Sequence, residues 1–249
     1  MRLAGKVAFV TGAGGGIGSA ICSRFLEEGA QVTATDIDLE AARIAVSGAA
    51  AGQAIPLQID AGDSDQVRSA IARTVDEFGR LNVLCNVAGG SSMQDASVVD
   101  APEEEFWRVI RLDLFGPFVS CKYGIPELIS AGGGSVINMT SMTAIIGTPG
   151  RDCYTAAKGG ISSMTRSMAV GYGKDGVRVN AIAPGITLTP RVKARLTHRD
   201  PAVRALEERH VLGLVDPIDI AQMAVYLASD ESKVVTGQIF PVDSGLTID

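Results

Sequence analysis

The sequence predicts a doubly wound α/β fold, a parallel sheet of about seven strands with helices on both faces. Three observations carry that expectation. Short β-branched runs alternate with longer helical patterns along all 249 residues. The strand runs are nearly continuous apolar stretches, such as Val7-Ala8-Phe9-Val10 and Val136-Ile137, rather than alternating ones. No internal repeat, low-complexity tract or Pro/Gly/Ser linker divides the chain. Continuous apolar strands are what a parallel sheet covered on both faces requires. Strand–helix–strand order with right-handed crossovers then builds that sheet. One domain over residues 1–249 is expected.

The elements follow in order. Lys6 to Thr11 reads as the first strand and Ile17–Glu28 as the first helix. Gln31 to Asp36 and Ala54 to Asp60 read as strands, followed by a helix over Ser64–Phe78. Leu81 to Asn86 is the next strand, and Glu103–Ile129 a long helix. Ser135 to Thr140, a helix over Asp152–Tyr172, Val177 to Ile182 and a last strand near Gln238 to Val242 complete the series.

Composition narrows the function. A net charge of −6 argues against nucleic-acid and anionic-membrane partners, because no general electrostatic attraction draws phosphate. No apolar run approaches the ~20 residues that span a bilayer, and the amino terminus offers no signal-peptide pattern. Cys22, Cys85, Cys121 and Cys153 are widely spaced, which favours buried free thiols in a reducing compartment over a disulfide or metal framework. The expectation is a soluble cytoplasmic protein without a metal site.

Immediately after the first strand comes Thr11-Gly12-Ala13-Gly14-Gly15-Gly16-Ile17-Gly18, where a helix begins. Glycines there let the backbone turn tightly and approach a pyrophosphate held at a helix N-terminus. The strict GxGxxG pattern fails in every register; the spacing is Gly12-x-x-x-Gly16-x-Gly18. Asp36, at the end of the second strand, is placed to accept hydrogen bonds from a ribose 2′-hydroxyl and to repel a 2′-phosphate. Asp38 adds to that repulsion and Gly15 offers no cation against it, so NAD is preferred over NADP. The competing reading makes Asp36 a solvated turn residue.

Tyr154 and Lys158 lie at i and i+4 of a predicted helix and share one face. A tyrosine titrates near 10 when unperturbed, and a nearby ammonium favours its phenolate. Ser141, just past the Val136–Thr140 run, adds a hydroxyl at the same crevice.

These motifs together resemble the short-chain dehydrogenase/reductase family over essentially the whole chain. The glycine turn matches its cofactor motif. Asp60-Ala61 matches the acid-plus-small pair beside the adenine, and Asn86-Val87-Ala88-Gly89 its NNAG segment, with Val87 in place of the second asparagine. Ser141 and Tyr154-x-x-x-Lys158 match its catalytic set. Asn180-Ala181-Ile182-Ala183-Pro184-Gly185, then Thr189, matches the segment that cradles the nicotinamide. The resemblance implies a Rossmann-like fold and NAD contacts from Gly12, Gly16, Ile17, Gly18, Asp36, Asp60, Ala61, Asn86, Ala88, Tyr154, Lys158, Pro184, Gly185, Ile186 and Thr189. It implies that Tyr154 exchanges a proton with the substrate oxygen, Ser141 orients that oxygen, and Lys158 holds the nicotinamide ribose and lowers the Tyr154 pKa. It also implies a homotetramer built partly from the helices at Glu103–Ile129 and Asp152–Tyr172.

Two departures stand out. The family's mid-helix asparagine is here Asp113, within Leu112-Asp113-Leu114-Phe115-Gly116. An ionised Asp113 would pair with Lys158, weaken its hold on Tyr154 and raise the tyrosine pKa; the alternative is a harmless near-isostere. Asp243-Ser244-Gly245 replaces the usual DGG, with no functional consequence legible in sequence.

The family's substrate lid corresponds to residues 187–213, which carry Arg191, Lys193, Arg195, Arg199, Arg204 and Arg209 against Asp200, Glu207 and Glu208. With Arg151 this suggests an anionic substrate, a carboxylate or sulfonate, clamped by Arg151 and Arg195. The alternative is a solvated face with ordinary charge pairs. His198 and His210 are expected on the lid surface. The expected function is NAD-dependent interconversion of a small secondary alcohol and ketone. A 3-oxoacyl-carrier-protein reductase is the alternative within the enzymes, and a non-catalytic NAD-binding regulator the alternative outside them.

Overall fold

The computed structural model describes residues 1–196 and 201–248, apart from the side chains of Arg195 and of residues 201–204. Seven strands form one sheet in the order β3-β2-β1-β4-β5-β6-β7. They are β1 (Val7–Thr11), β2 (Gln31–Asp36), β3 (Ala54–Gln58), β4 (Val83–Asn86), β5 (Gly134–Met139), β6 (Val177–Pro184) and β7 (Ile239–Val242). Every pairing is parallel.

Burial on both sides explains the continuous apolar runs. Ala8 and Val10 of β1, Cys85 of β4 and Ile137 of β5 face one core, under α1 (Gly16–Glu27) and α9 (Pro217–Ala228). Phe9, Leu84 and Val136 face the other, under α3 (Ser64–Phe78) and α5 (Gly116–Ser130). A fully buried side chain such as Phe9 contributes about 1.5–3 kcal/mol.

Two helical stretches depart from expectation. The stretch expected as one helix over Glu103–Ile129 is α4 (Glu103–Val109), a π-helical turn over Ile110–Phe115, and then α5. Such wide turns often occur at functional sites, and this one carries Asp113 into the interior. A short helix, α2 (Leu39–Ala45), follows β2, capped by Asp38, whose carboxylate accepts the Glu40 and Ala41 amides. The helix over Asp152–Tyr172, α6, has the expected bounds. In the lid region, α7 spans Pro190–Leu196 and α8 Pro201–Glu208. Among the described residues, no helix is long and apolar enough to cross a membrane.

The chain reverses its winding between β1 and β4, where Thr11 pairs with Asn86. Crevices at such switch points are where open α/β sheets bind ligands.

Candidate active site

At that switch point lies a cleft of about 1170 Å³. Its floor is the glycine turn. Gly12 has φ of +67, and a Cβ there would stand 2.7 Å from the backbone of Ala88, so only glycine lets the two loops meet. The Thr11 hydroxyl ties them by accepting the Val87 and Ala88 amides at 3.1 and 3.2 Å. The amides of α1 open into the cleft behind Gly15, which has no capping side chain. That leaves orphan N–H groups where a pyrophosphate would sit.

Asp36 closes the adenosine end. Its Oδ2 accepts the Gly14 amide at 2.9 Å and its Oδ1 the Asp38 amide at 3.1 Å, so the carboxylate is fixed in place. Gly14 was not singled out in sequence, yet a Cβ on it would collide with Ala41 and approach Asp36. Asp60 and Ala61 line the same end. Asp60 is held by the Gly62 amide at 2.8 Å and by Arg111 at 2.7 Å.

The catalytic candidates converge at the other end. Ser141 follows β5, and its Oγ accepts the Thr143 amide at 3.2 Å, leaving the hydroxyl proton free to donate. Tyr154 and Lys158 project from α6, with the Lys158 Nζ 5.4 Å from the centre of the Tyr154 ring. Lys158 is buried; its Nζ donates to the Met139 carbonyl at 2.9 Å and pairs with Asp113 at 3.0 Å. An ammonium has three donors, so one remains for the cleft. Asp113 is wholly buried, its Oδ1 also accepting the Gly90 amide at 2.8 Å, and its Oδ2 has no partner.

Electrostatics modify the sequence-based expectation for the tyrosine. Burial is the largest influence on Tyr154 and raises its pKa above the ordinary value, and the Asp113 carboxylate adds to the rise. Lys158 acts in the expected direction, as do Arg191 and Ser141, but they do not overcome the burial. Burial works to lower Lys158, yet the paired Asp113 carboxylate and Tyr154 keep its pKa above normal. Burial likewise pushes the Cys22 and Cys121 thiols up to about 12, so neither is a reactive thiolate.

Pro184, Gly185, Ile186 and Thr189 all line the cleft, as do Gly12, Gly16, Ile17, Gly18 and Ala88. Asn86 does not. It is buried beneath the wall, where its amide donates to Asn138 at 2.9 Å and ties β4 to β5. Arg151 lines the cleft mouth and donates to the Ser92 carbonyl at 2.8 Å. The Arg195 side chain, His198, Arg199, Asp200 and the Arg204 side chain lie outside the described residues.

His210 is a correction. Expected on the lid surface, it is buried and joins two segments. Its Nε2 accepts the Ile186 amide at 3.1 Å, which leaves Nδ1–H to donate to the Leu206 carbonyl at 2.7 Å. Asp243 also gains a role: it accepts from the Gly245 and Thr247 amides, and it leaves no room for a side chain at Gly185.

Asp95 went unnoticed in sequence. Its two oxygens accept the Cys153 and Tyr154 amides, each at 3.1 Å, capping the first turn of α6 from a distant loop. Nothing marks it locally, since the loop has no periodicity and the pairing spans nearly 60 residues.

Comparison with known proteins agrees with this geometry. The Enoyl-(Acyl carrier protein) reductase family model matches residues 12–247. A 3-oxoacyl-acyl-carrier-protein reductase of Thermotoga maritima is 38% identical over 255 residues, covering 100% of both chains. A 2,5-dichloro-2,5-cyclohexadiene-1,4-diol dehydrogenase of Sphingobium indicum is 36% identical, covering 99% of this chain and 98% of its own. Among solved structures, levodione reductase superposes with a TM-score of 0.92 at 30% identity, covering 99% of each chain. An ordered set of motifs, a switch-point cleft and full-length relatives lead to one conclusion: the chain is an oxidoreductase of the short-chain dehydrogenase/reductase family.

Proposed function

We propose that the protein is an NAD-dependent enzyme interconverting a small secondary alcohol and its ketone, with Ser141, Tyr154 and Lys158 as the catalytic set. The observation that carries this reading is the convergence of those three side chains at one end of the cleft whose other end is the fixed Asp36 carboxylate. The cleft fits a dinucleotide. The orphan amides at the start of α1 would take the pyrophosphate, Asp36 the adenosine ribose, and Asp60 with Ala61 the adenine edge. Pro184, Gly185, Ile186 and Thr189 would hold the nicotinamide, which supplies or accepts hydride at its C4.

The rest is the work of this chain's own groups. The Tyr154 Oη gives a proton to the carbonyl oxygen in reduction and takes it back in oxidation. The Ser141 hydroxyl, its lone pair engaged by Thr143, donates to the same oxygen and orients it. Lys158 offers its remaining N–H to the ribose hydroxyls while its charge favours the phenolate. Asp113 holds that charge in place and opposes its effect on the tyrosine. The 187–213 segment acts as a lid over an anionic substrate, with Arg151 at its mouth. Exposed Phe115 and Phe118, stacked 6.2 Å apart at the start of α5, are covered in a homotetramer.

Reduction of a carrier-bound 3-oxoacyl group is a second reading, favoured by the 38% identity to the Thermotoga maritima reductase. Asp36 weighs against it if that reaction uses NADPH. Steady-state assays with alcohols, ketones and a 3-oxoacyl thioester, each with NAD(H) and NADP(H), separate the readings. Turnover of a simple alcohol or ketone with NAD(H) supports the proposal. Turnover of the thioester with NADPH alone replaces it with the second reading. Tight NADH binding without turnover of any compound makes the protein a regulator.

A further inference from the structure

One cation at the catalytic end of the cleft is unused by the mechanism. Arg191 stands on the first turn of α7, and its place is set by local structure. The Thr189 Oγ1 accepts the Val192 amide at 3.2 Å and its carbonyl the Lys193 amide at 2.8 Å, while Pro190 starts the helix with the φ it needs. This cap fixes which face of α7 meets the cleft, and Arg191 is on it. The guanidinium lies against Gly90, which has φ of +132; a Cβ there would stand 2.7 Å from Nη1 and would collide with Nη2. A glycine at this point makes the space that the arginine fills.

The neighbouring cations are already engaged. Lys158 pairs with Asp113 at 3.0 Å, Arg108 with Glu105 at 2.7 Å, and Arg151 donates to the Ser92 carbonyl. Arg191 has no hydrogen-bond or ion-pair partner among the described residues. Its charge nevertheless reaches the reacting groups, partly opposing the rise in pKa of both Tyr154 and Lys158. Among the described residues, the acids lining the cleft are Asp36, Asp38 and Asp60 at the adenosine end and Glu104 on the α4 rim. Unpaired positive charge is therefore concentrated where the substrate sits. The start of α7 packs on the glycine turn through Thr189 and Pro190, within about 3 Å of where a Gly16 side chain would be. Arg191 instead faces Gly90, beyond the turn that would hold the pyrophosphate.

We propose that Arg191 binds a carboxylate, or a comparable oxyanion, carried by the substrate beside its reacting carbon, so that the enzyme's substrates are oxo acids and hydroxy acids. The planar guanidinium fork matches a carboxylate in two parallel hydrogen bonds, a match that lysine does not offer. This deepens the alcohol–ketone reading and rests on it. It places an anion contact at Arg191, four positions before the expected Arg195, whose side chain lies outside the described residues.

The test compares pyruvate, acetoacetate and levulinate with their methyl esters as substrates for reduction by NADH, in wild type, Arg191→Ala and Arg191→Lys. The series covers carboxylates one, two and three bonds from the carbonyl carbon. Wild type is expected to favour at least one acid over its ester. Arg191→Ala should reduce that acid-over-ester ratio in kcat/KM by about ten- to a hundredfold, the range of one charge-assisted hydrogen bond. Arg191→Lys should keep part of it. NADH affinity, followed separately by fluorescence titration, should stay within about threefold. A wild-type enzyme that prefers the esters, or an Arg191→Ala variant with an unchanged ratio, overturns the proposal. So does a loss of NADH affinity matching the loss in kcat/KM, which would place the guanidinium on the cofactor. An enzyme that reduces neutral ketones but none of the acids overturns the anion site alone. One that reduces nothing with NADH overturns the dehydrogenase reading beneath it as well.

Discussion

Removing Asp36 tests the cofactor assignment most sharply. Its carboxylate is fixed by the Gly14 and Asp38 amides at 2.9 and 3.1 Å, so it can neither swing away from a phosphate nor wait for a ribose. A charge-assisted hydrogen bond to a ribose hydroxyl is worth about 1.5–3 kcal/mol. A 2′-phosphate of charge near −2 placed about 5 Å from the carboxylate meets a repulsion of about 1.7 kcal/mol at the dielectric of bulk water, and about 3 kcal/mol at half of it. The two effects together set an NADH-over-NADPH preference of about 3–6 kcal/mol, or two to four powers of ten. Asp36→Ala should weaken NADH about ten- to a hundredfold and tighten NADPH by a similar factor. Asp36→Asn keeps an acceptor for the turn amides while losing the charge, and should yield most of the NADPH gain with less loss of NADH. Fluorescence titration of both cofactors against the three proteins measures this directly. Equal binding of NADH and NADPH by wild type, or a ratio unmoved by either substitution, would refute the reasoning.

Three further outcomes are expected. Asp113→Asn removes a negative charge that disfavours the Tyr154 phenolate; alcohol oxidation needs that phenolate, so the rising, acid-side limb of its pH–rate profile should move to lower pH, and an unmoved limb would show that the carboxylate does not influence the tyrosine. Asp95→Ala removes the cap from the turn bearing Tyr154 and should cost about 1–2 kcal/mol of stability in urea unfolding, with kcat falling more than KM rises; Asp95→Asn should restore part of both, and an unaffected kcat would limit Asp95 to stability. Ser244 holds φ of +53, a conformation that strains any side chain; Ser244→Gly should raise stability by about 0.5–1 kcal/mol, and a lowered Tm would contradict that strain.

What sequence could reveal followed from the range of the interactions involved. The glycine turn, Asp36 and the Tyr154–Lys158 face are local patterns, readable because strand, turn and helix constrain their neighbours within a few residues. The Lys158–Asp113 pair was foreseen as an electrostatic consequence of the asparagine replacement, and the two groups lie 3.0 Å apart. The π-helical turn that delivers Asp113 was not, because its apolar pattern differs little from that of a continuous helix. The closeness of Arg191 to Gly90 depends on a loop some hundred residues away in sequence. Asp95, His210 and the burial of Asn86 depend on partners dozens of residues away, where periodicity carries no information.

The central claim is that Tyr154 transfers the substrate proton while NADH supplies the hydride, and a single-turnover measurement tests it most directly. The enzyme, saturated with NADH, is mixed rapidly with a panel of small ketones and oxo acids, and loss of the reduced nicotinamide absorbance is followed for wild type and Tyr154→Phe. The account predicts a burst equal to the active-site concentration in wild type. It predicts a rate lowered by about a hundredfold or more in Tyr154→Phe, with NADH binding retained. Equal burst rates in the two proteins, or bound NADH that no compound oxidises, would contradict it.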